Sequence, residues 1–169
     1  ANLSFDVHYS GTVGGAMEGT LMGIPGLAVS CCAPSQGYAA SAQFAQRLAA
    51  KILDEGLPSD TLLNVNVPGG EPKGFQMTFL GHRHFRHHVE RRDDPRGAPY
   101  YWIGGVPGRP RDLPGSDCNA VENGYVSVTP MTVDATSRRA LAGPLREWKL
   151  PGTDRLPPED RGPILPEFA

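Results

Sequence analysis

The clearest chemistry in the sequence lies in five consecutive residues, Tyr9-Ser10-Gly11-Thr12-Val13. Two hydroxyls flank a glycine just where an apolar helical period begins, so the stretch reads as a loop entering a helix. A helix N-terminus presents unpaired main-chain N–H groups and a partial positive charge, and together these suit a phosphate. Gly11 lets the main chain approach an oxygen closely, and Ser10 and Thr12 add hydroxyl donors. The same residue types serve any helix start as caps, so this pattern by itself leaves both readings open.

Other reactive side chains sit in weaker patterns. Asp6 is close to the turn in sequence and could serve it, or simply accept from loop N–H groups. His8 is placed where it could be a general base or could serve a surface or packing role. In His82-Arg83-His84-Phe85-Arg86-His87-His88, continuing to Arg91 and Arg92, His82 and His84 would share one face of a strand as a metal pair. No carboxylate or cysteine completes a ligand set there. The arginines and Phe85 could also form a nucleic-acid patch, but a solvated hairpin arm is the reading preferred over both. Asn64 and Asn66 flank strand residues and are expected to satisfy sheet-edge or loop main chain. Cys31 and Cys32 are adjacent and Cys118 is remote, without C-x-x-C spacing, which predicts buried free thiols in a reducing, cytoplasmic compartment.

The elements that must position these groups follow from periodicity. Val13, Ala16, Met17 and Leu21 recur at helical spacing after Ser10, and Gly23 and Pro25 stop the run. Leu27 to Cys32 is a nearly uncharged stretch suited to a strand covered on both faces. From about Tyr38 to Glu55 the pattern is helical again, with Phe44, Ala45, Leu48, Ile52 and Leu53 on one face. Leu63, Val65 and Val67 alternate with Asn64 and Asn66 in a strand that ends at Pro68. This order predicts an α/β layer fold with at least a partly parallel sheet. Phe75, Met77 and Phe79, Tyr100 to Ile103, and Tyr125 to Val128 are further β-like runs. We read residues 74–130 as antiparallel strands and hairpins appended to the sheet. A last helix is expected over Ser137 to Trp148, followed by an extended or disordered Pro-rich tail from Pro151.

Composition limits the function classes. The chain has 169 residues, 39% of them hydrophobic, with 21 glycines, 17 prolines and a formal net charge of −2. That suits one loop-rich domain and offers no general attraction to nucleic acid or an anionic membrane. No apolar run approaches the ~20 residues of a membrane span. The first residues lack the basic and apolar regions of a signal peptide, and the absence of an initial Met hints at truncation or processing.

Several motifs together resemble one family. The run from Asn2 to Gly19 resembles the stationary-phase survival protein SurE signature N-x-x-x-D-V-x-Y-S-G-T-V-x-x-A-M-E-G. Further matches follow in order: Gly26 to Ser30, Leu63 to Pro68, Asp94-Pro95-Arg96-Gly97, Tyr100 to Gly105, Gly115-Ser116-Asp117, and Ala120 to Pro130. Ser116 stands where threonine is usual and Ser4 where glycine is common.

The resemblance implies a Rossmann-like, three-layer, mostly parallel sheet with an appended antiparallel β-hairpin arm and a C-terminal helix. It implies a SurE-like domain over residues 1–136, an arm over about residues 81–111 used for oligomer contacts, and a C-terminal helix and tail over residues 137–169. It also implies a phosphatase of nucleoside 5′- and 3′-monophosphates that uses Mg²⁺ or Mn²⁺ and forms a homodimer or homotetramer. Ser10 and Thr12 would be catalytic, and Asn2, Ser10, Gly11 and Thr12 would bind phosphate. The family's metal ligands have no counterpart in this chain and are expected upstream of Ala1. The chain alone is therefore expected to be inactive, and the alternative reading is a non-catalytic oligomerisation or nucleotide-binding piece.

Overall fold

Alternation along Leu62-Leu63-Asn64-Val65-Asn66-Val67 decides the architecture, because successive side chains of a strand point to opposite faces. In the computed structural model, which describes residues 1–143 apart from His84 and Arg109, together with Leu145 and Trp148, these residues form the sheet centre. The chain runs through a 3-10 helix (Ser4–Tyr9), α1 (Gly11–Leu21), β1 (Gly26–Cys31), a short 3-10 turn (Pro34–Gln36), α2 (Ala39–Glu55), β2 (Thr61–Val67) and β3 (Phe75–Met77). Then follow β4 (Phe85–Asp93), β5 (Pro99–Pro107), α3 (Asp117–Glu122), β6 (Val126–Thr132) and α4 (Arg138–Ala142).

The main sheet has the order β1-β2-β6-β3. β1 is parallel to β2 and β3 is parallel to β6, whereas β2 and β6 are antiparallel. On one face Leu63, Val65, Val67, Val126 and Val128 meet Ile52 of α2, with Phe44 and Leu48 packed against them. The i, i+4, i+8 spacing of Phe44, Leu48 and Ile52 supplies that stripe, and Lys51 pairs with Glu55 on the outside. On the other face α1 brings Val13, with Ala16 and Met17, onto Ala28 and Leu62. The helix lies very close there: a Cβ on Gly26 would come within 2.4 Å of Ala16 O and Thr20 Oγ1. The result is the expected α/β arrangement, with one helix on each face of a mixed sheet.

Several expectations for the second half are corrected. β6 is not an appendage; it lies inside the main sheet between β2 and β3. β3 ends at Met77, and Phe79 makes only an isolated bridge with Ser116. α3 was not foreseen, since six residues are too few to show a helical period. His82 precedes β4 and so shares no strand face, while its suggested partner His84 falls outside the described residues. The hairpin itself is as expected, antiparallel from Phe85↔Pro107 to Asp93↔Pro99. Its turn is tied by Asp94 Oδ1, which accepts from the N–H groups of Arg96 and Ala98.

Residues 1–133 pack as one unit and the remainder as another. Within the second, Ser137 caps α4 by accepting from Ala140 N. The helix closes at Ala142, well short of Trp148, with Gly143 as its C-cap. The tail from Pro151 lies outside the described residues.

Candidate phosphate-binding turn and its supporting loop

Ser10 has extended backbone (φ −90°, ψ 117°) and caps α1: its Oγ accepts from Val13 N at 3.1 Å. Ser10 O accepts from Gly14 N at 2.8 Å. The N–H groups of Gly11 and Thr12 have no protein partner among the described residues. Gly11 and Thr12 are both exposed, and nothing lies within 4 Å of where a Cβ on Gly11 would sit. The turn therefore presents two main-chain donors and the Thr12 side chain toward solvent at the positive end of an 11-residue helix. The Ser10 hydroxyl can still donate its own proton while it accepts from Val13.

Asn2 is placed differently. Its Nδ2 donates to Ser30 Oγ at 2.7 Å, and no hydrogen bond among the described residues joins it to the turn. Its main chain is gripped by strand side chains: Asn2 N donates to Asn66 Oδ1, while Asn64 Nδ2 and Asn66 Nδ2 both donate to Asn2 O. Asn64 and Asn66 thus satisfy loop main chain, as the sequence suggested. They do so from the middle of the sheet, where both are fully buried.

The same face carries a wider polar row. β-pairing sets Asn66 beside Ser30 and Ser127, and Asn64 beside Thr129. Thr78 Oγ1 lies 2.9 Å from Ser127 Oγ and 2.7 Å from Thr129 Oγ1. Burying this many polar groups is tolerable only because nearly all are paired. Asn64 Oδ1 is buried with no partner among the described residues.

The acidic groups nearest the loop are already engaged. Asp6 forms an ion pair with Arg83, rather than accepting from loop N–H groups. Asp117, fully buried, accepts N–H groups from Ser4, Gly81 and Cys118, each at 2.7 Å. Sequence reasoning gave neither residue these partners, because all but Cys118 lie far along the chain from the carboxylate they bind. Among the described residues no group of three His, Cys, Asp or Glu could hold a metal ion. The cation implied by the resemblance therefore does not fit the donors described in this chain. Burial pushes the Cys118 thiol up to about 12, with the neighbouring Asp117 charge adding to the effect. Burial likewise raises the Cys32 thiol above its usual value. Neither is a ready thiolate nucleophile.

The model of the family Survival protein SurE matches residues 1–87. A 5′-nucleotidase SurE of Anaeromyxobacter sp. is 46% identical over 159 residues, covering 92% of this chain and 62% of the relative. One from Geotalea daltonii is 48% identical over 155 residues, covering 89% of this chain and 62% of the relative. The chain thus spans about 62% of the length of these relatives. Among solved structures, the SurE protein from Aquifex aeolicus superposes with a TM-score of 0.68 at 39% identity. That match covers 84% of this chain and 59% of the other.

Proposed function

The chain belongs to the SurE family, and from that premise we propose that it is the phosphate-binding part of a metal-dependent phosphatase of nucleoside 5′- and 3′-monophosphates. The observation that carries this reading is the exposed start of α1, where the Gly11 and Thr12 N–H groups and the two hydroxyls converge on solvent. Donors fixed at a helix start can hold a phosphate dianion and stabilise the charge that builds on its oxygens as the ester bond breaks. The relatives' name, 5′-nucleotidase SurE, supports the substrate class. Ser10 and Thr12 are the catalytic donors in this reading, and Gly11 lets the phosphate approach. Asn2 acts through its place in the loop, since its side-chain amide is turned to Ser30.

A divalent cation, Mg²⁺ or Mn²⁺, would supply Lewis-acid charge and a bound water of lowered pKa. In this reading its ligands come from outside the described residues, where Asp6 is held by Arg83 and Asp117 by three N–H donors. Chain 1–169 alone should therefore bind no Mn²⁺ in calorimetry and show no turnover. Robust Mn²⁺-dependent hydrolysis by it would overturn this division of labour. In a protein of the relatives' full length that contains this chain, Ser10→Ala and Thr12→Ala should each lower turnover of a nucleoside monophosphate by about two to three decades. Wild-type turnover in both variants would remove the turn from the mechanism.

The hairpin supports a second element of the proposal, assembly into a homodimer or homotetramer. Tyr100, Tyr101, Trp102 and Ile103 are all exposed on β5, with Val89 beside Ile103 on β4. A two-stranded ribbon cannot bury aromatic groups on both its faces, and such clusters suit an interface between copies. No helix of the described residues is long and apolar enough to cross a membrane, which is compatible with a cytoplasmic enzyme.

A further inference from the structure

Ser4 is the one non-glycine residue with positive φ among the described residues, at φ +57°. The left-handed region is unfavourable for a residue with a Cβ, so something must hold Ser4 there. Its N–H donates to Asp117 Oδ2 at 2.7 Å. Its Oγ donates to Gly81 O and accepts from Arg83 N, both at 2.9 Å. The other oxygen of Asp117 accepts from Gly81 N and Cys118 N, both at 2.7 Å. Gly81 has no room for a side chain, because a Cβ there would sit 2.8 Å from Asp117 Oδ1. Two residues beyond Ser4, Asp6 pairs with Arg83 at the same place. One buried carboxylate therefore joins the loop after Asn2, the chain entering the hairpin and the start of α3.

We propose that Asp117 is a positioning residue for the phosphate turn, acting through Ser4; the inference rests on the reading of Ser10 to Thr12 given above. Ser4 opens the 3-10 helix Ser4–Tyr9 that delivers Ser10 to its cap position. Rotation about the Ser4 backbone swings this helix as a lever and displaces the Ser10 and Thr12 donors. Asp117 sets that angle by fixing the Ser4 N–H, and it ties the same point to the foot of the hairpin. A misplacement of about 1 Å in a transition-state donor is enough to cost up to two decades in rate.

The test uses a protein of the relatives' full length that contains this chain, assayed with a nucleoside monophosphate and Mn²⁺. Asp117→Asn replaces one acceptor oxygen with an NH₂ that cannot receive these N–H groups, and kcat should fall about ten- to a hundred-fold. The discriminating variant is Asp117→Asn combined with Ser4→Gly. Glycine adopts positive φ without help, so the double variant should regain much of the lost kcat while its Tm stays as low as that of Asp117→Asn. A purely structural Asp117 would give a lowered Tm with kcat unchanged below the melting range, and that result overturns the proposal. So does a double variant no faster than Asp117→Asn alone. If Asp117→Asn does not fold, Ser4→Val carries the test, since a β-branched residue resists the same angle. Wild-type kcat in soluble Ser4→Val then overturns the inference. Absence of turnover in the unmutated protein is a different outcome: it sinks the phosphatase reading and the positioning role with it.

Discussion

The two faces of the central sheet are built from the same strands and solve opposite problems. Toward α2, Leu63, Val65, Val67, Val126 and Val128 form a dry core with Ile52. Toward the N-terminal loop, Asn64, Asn66, Ser127 and Thr129 are just as buried, yet they hydrogen-bond to Asn2 and Thr78, and Asn2 in turn donates to Ser30. The first face gains stability from apolar area removed from water. The second gains little net stability from its bonds, because each replaces a bond to water. What it supplies is a unique position for the loop that leads to Ser10. The contrast separates the apolar face that holds α2 from the part of the other face, beside the Leu62 and Ala28 cluster under α1, that fixes the loop before Ser10.

Three substitutions sharpen that separation. Ile52→Ala opens a cavity in the dry face and should cost about 2–4 kcal/mol, read as a lower urea midpoint at unchanged slope. It should leave the loop in place, so any surviving activity should keep its KM. A comparable fall in stability together with a raised KM would show that the two faces are not independent.

On the polar face the two asparagines should differ. Asn66→Ala strips the acceptor from Asn2 N–H and one donor from Asn2 O, and should cost about 1–3 kcal/mol for the unpaired groups. Asn64→Ala should cost less, under about 1 kcal/mol, because Asn2 O keeps its bond from Asn66. It also removes Asn64 Oδ1, the buried acceptor without a partner among the described residues. Equal costs, or a larger cost for Asn64, measured by urea unfolding of both variants, would break this account of the loop cradle.

How much of this was legible depended on sequence distance. The periods of Phe44, Leu48 and Ile52, and of Leu63, Val65 and Val67, announce α2 and β2 because each involves neighbours within one element. The cap at Ser10 was readable for the same reason, since its partner Val13 is three residues away. α4 was overestimated because apolar spacing continues to Trp148 while Gly143 has already ended the helix. The place of β6 between β2 and β3 was hidden, because strand order is settled by pairings that no local pattern records. Ser4 showed as a departure from a glycine position, and only the structure gave that departure its meaning, a residue held at φ +57°.

By itself the sequence determined the family, the turn from Ser10 to Thr12, the two helix–strand pairs and the hairpin, all of which rest on short-range spacing. Tertiary structure alone decided that Asn64 and Asn66 grip Asn2, that Asp6 is taken by Arg83, and that Asp117 holds Ser4 and Gly81. The physical reason is common to all three. A buried polar group must find a partner wherever the fold brings one, and those partners lie 36 to 113 residues away along the chain.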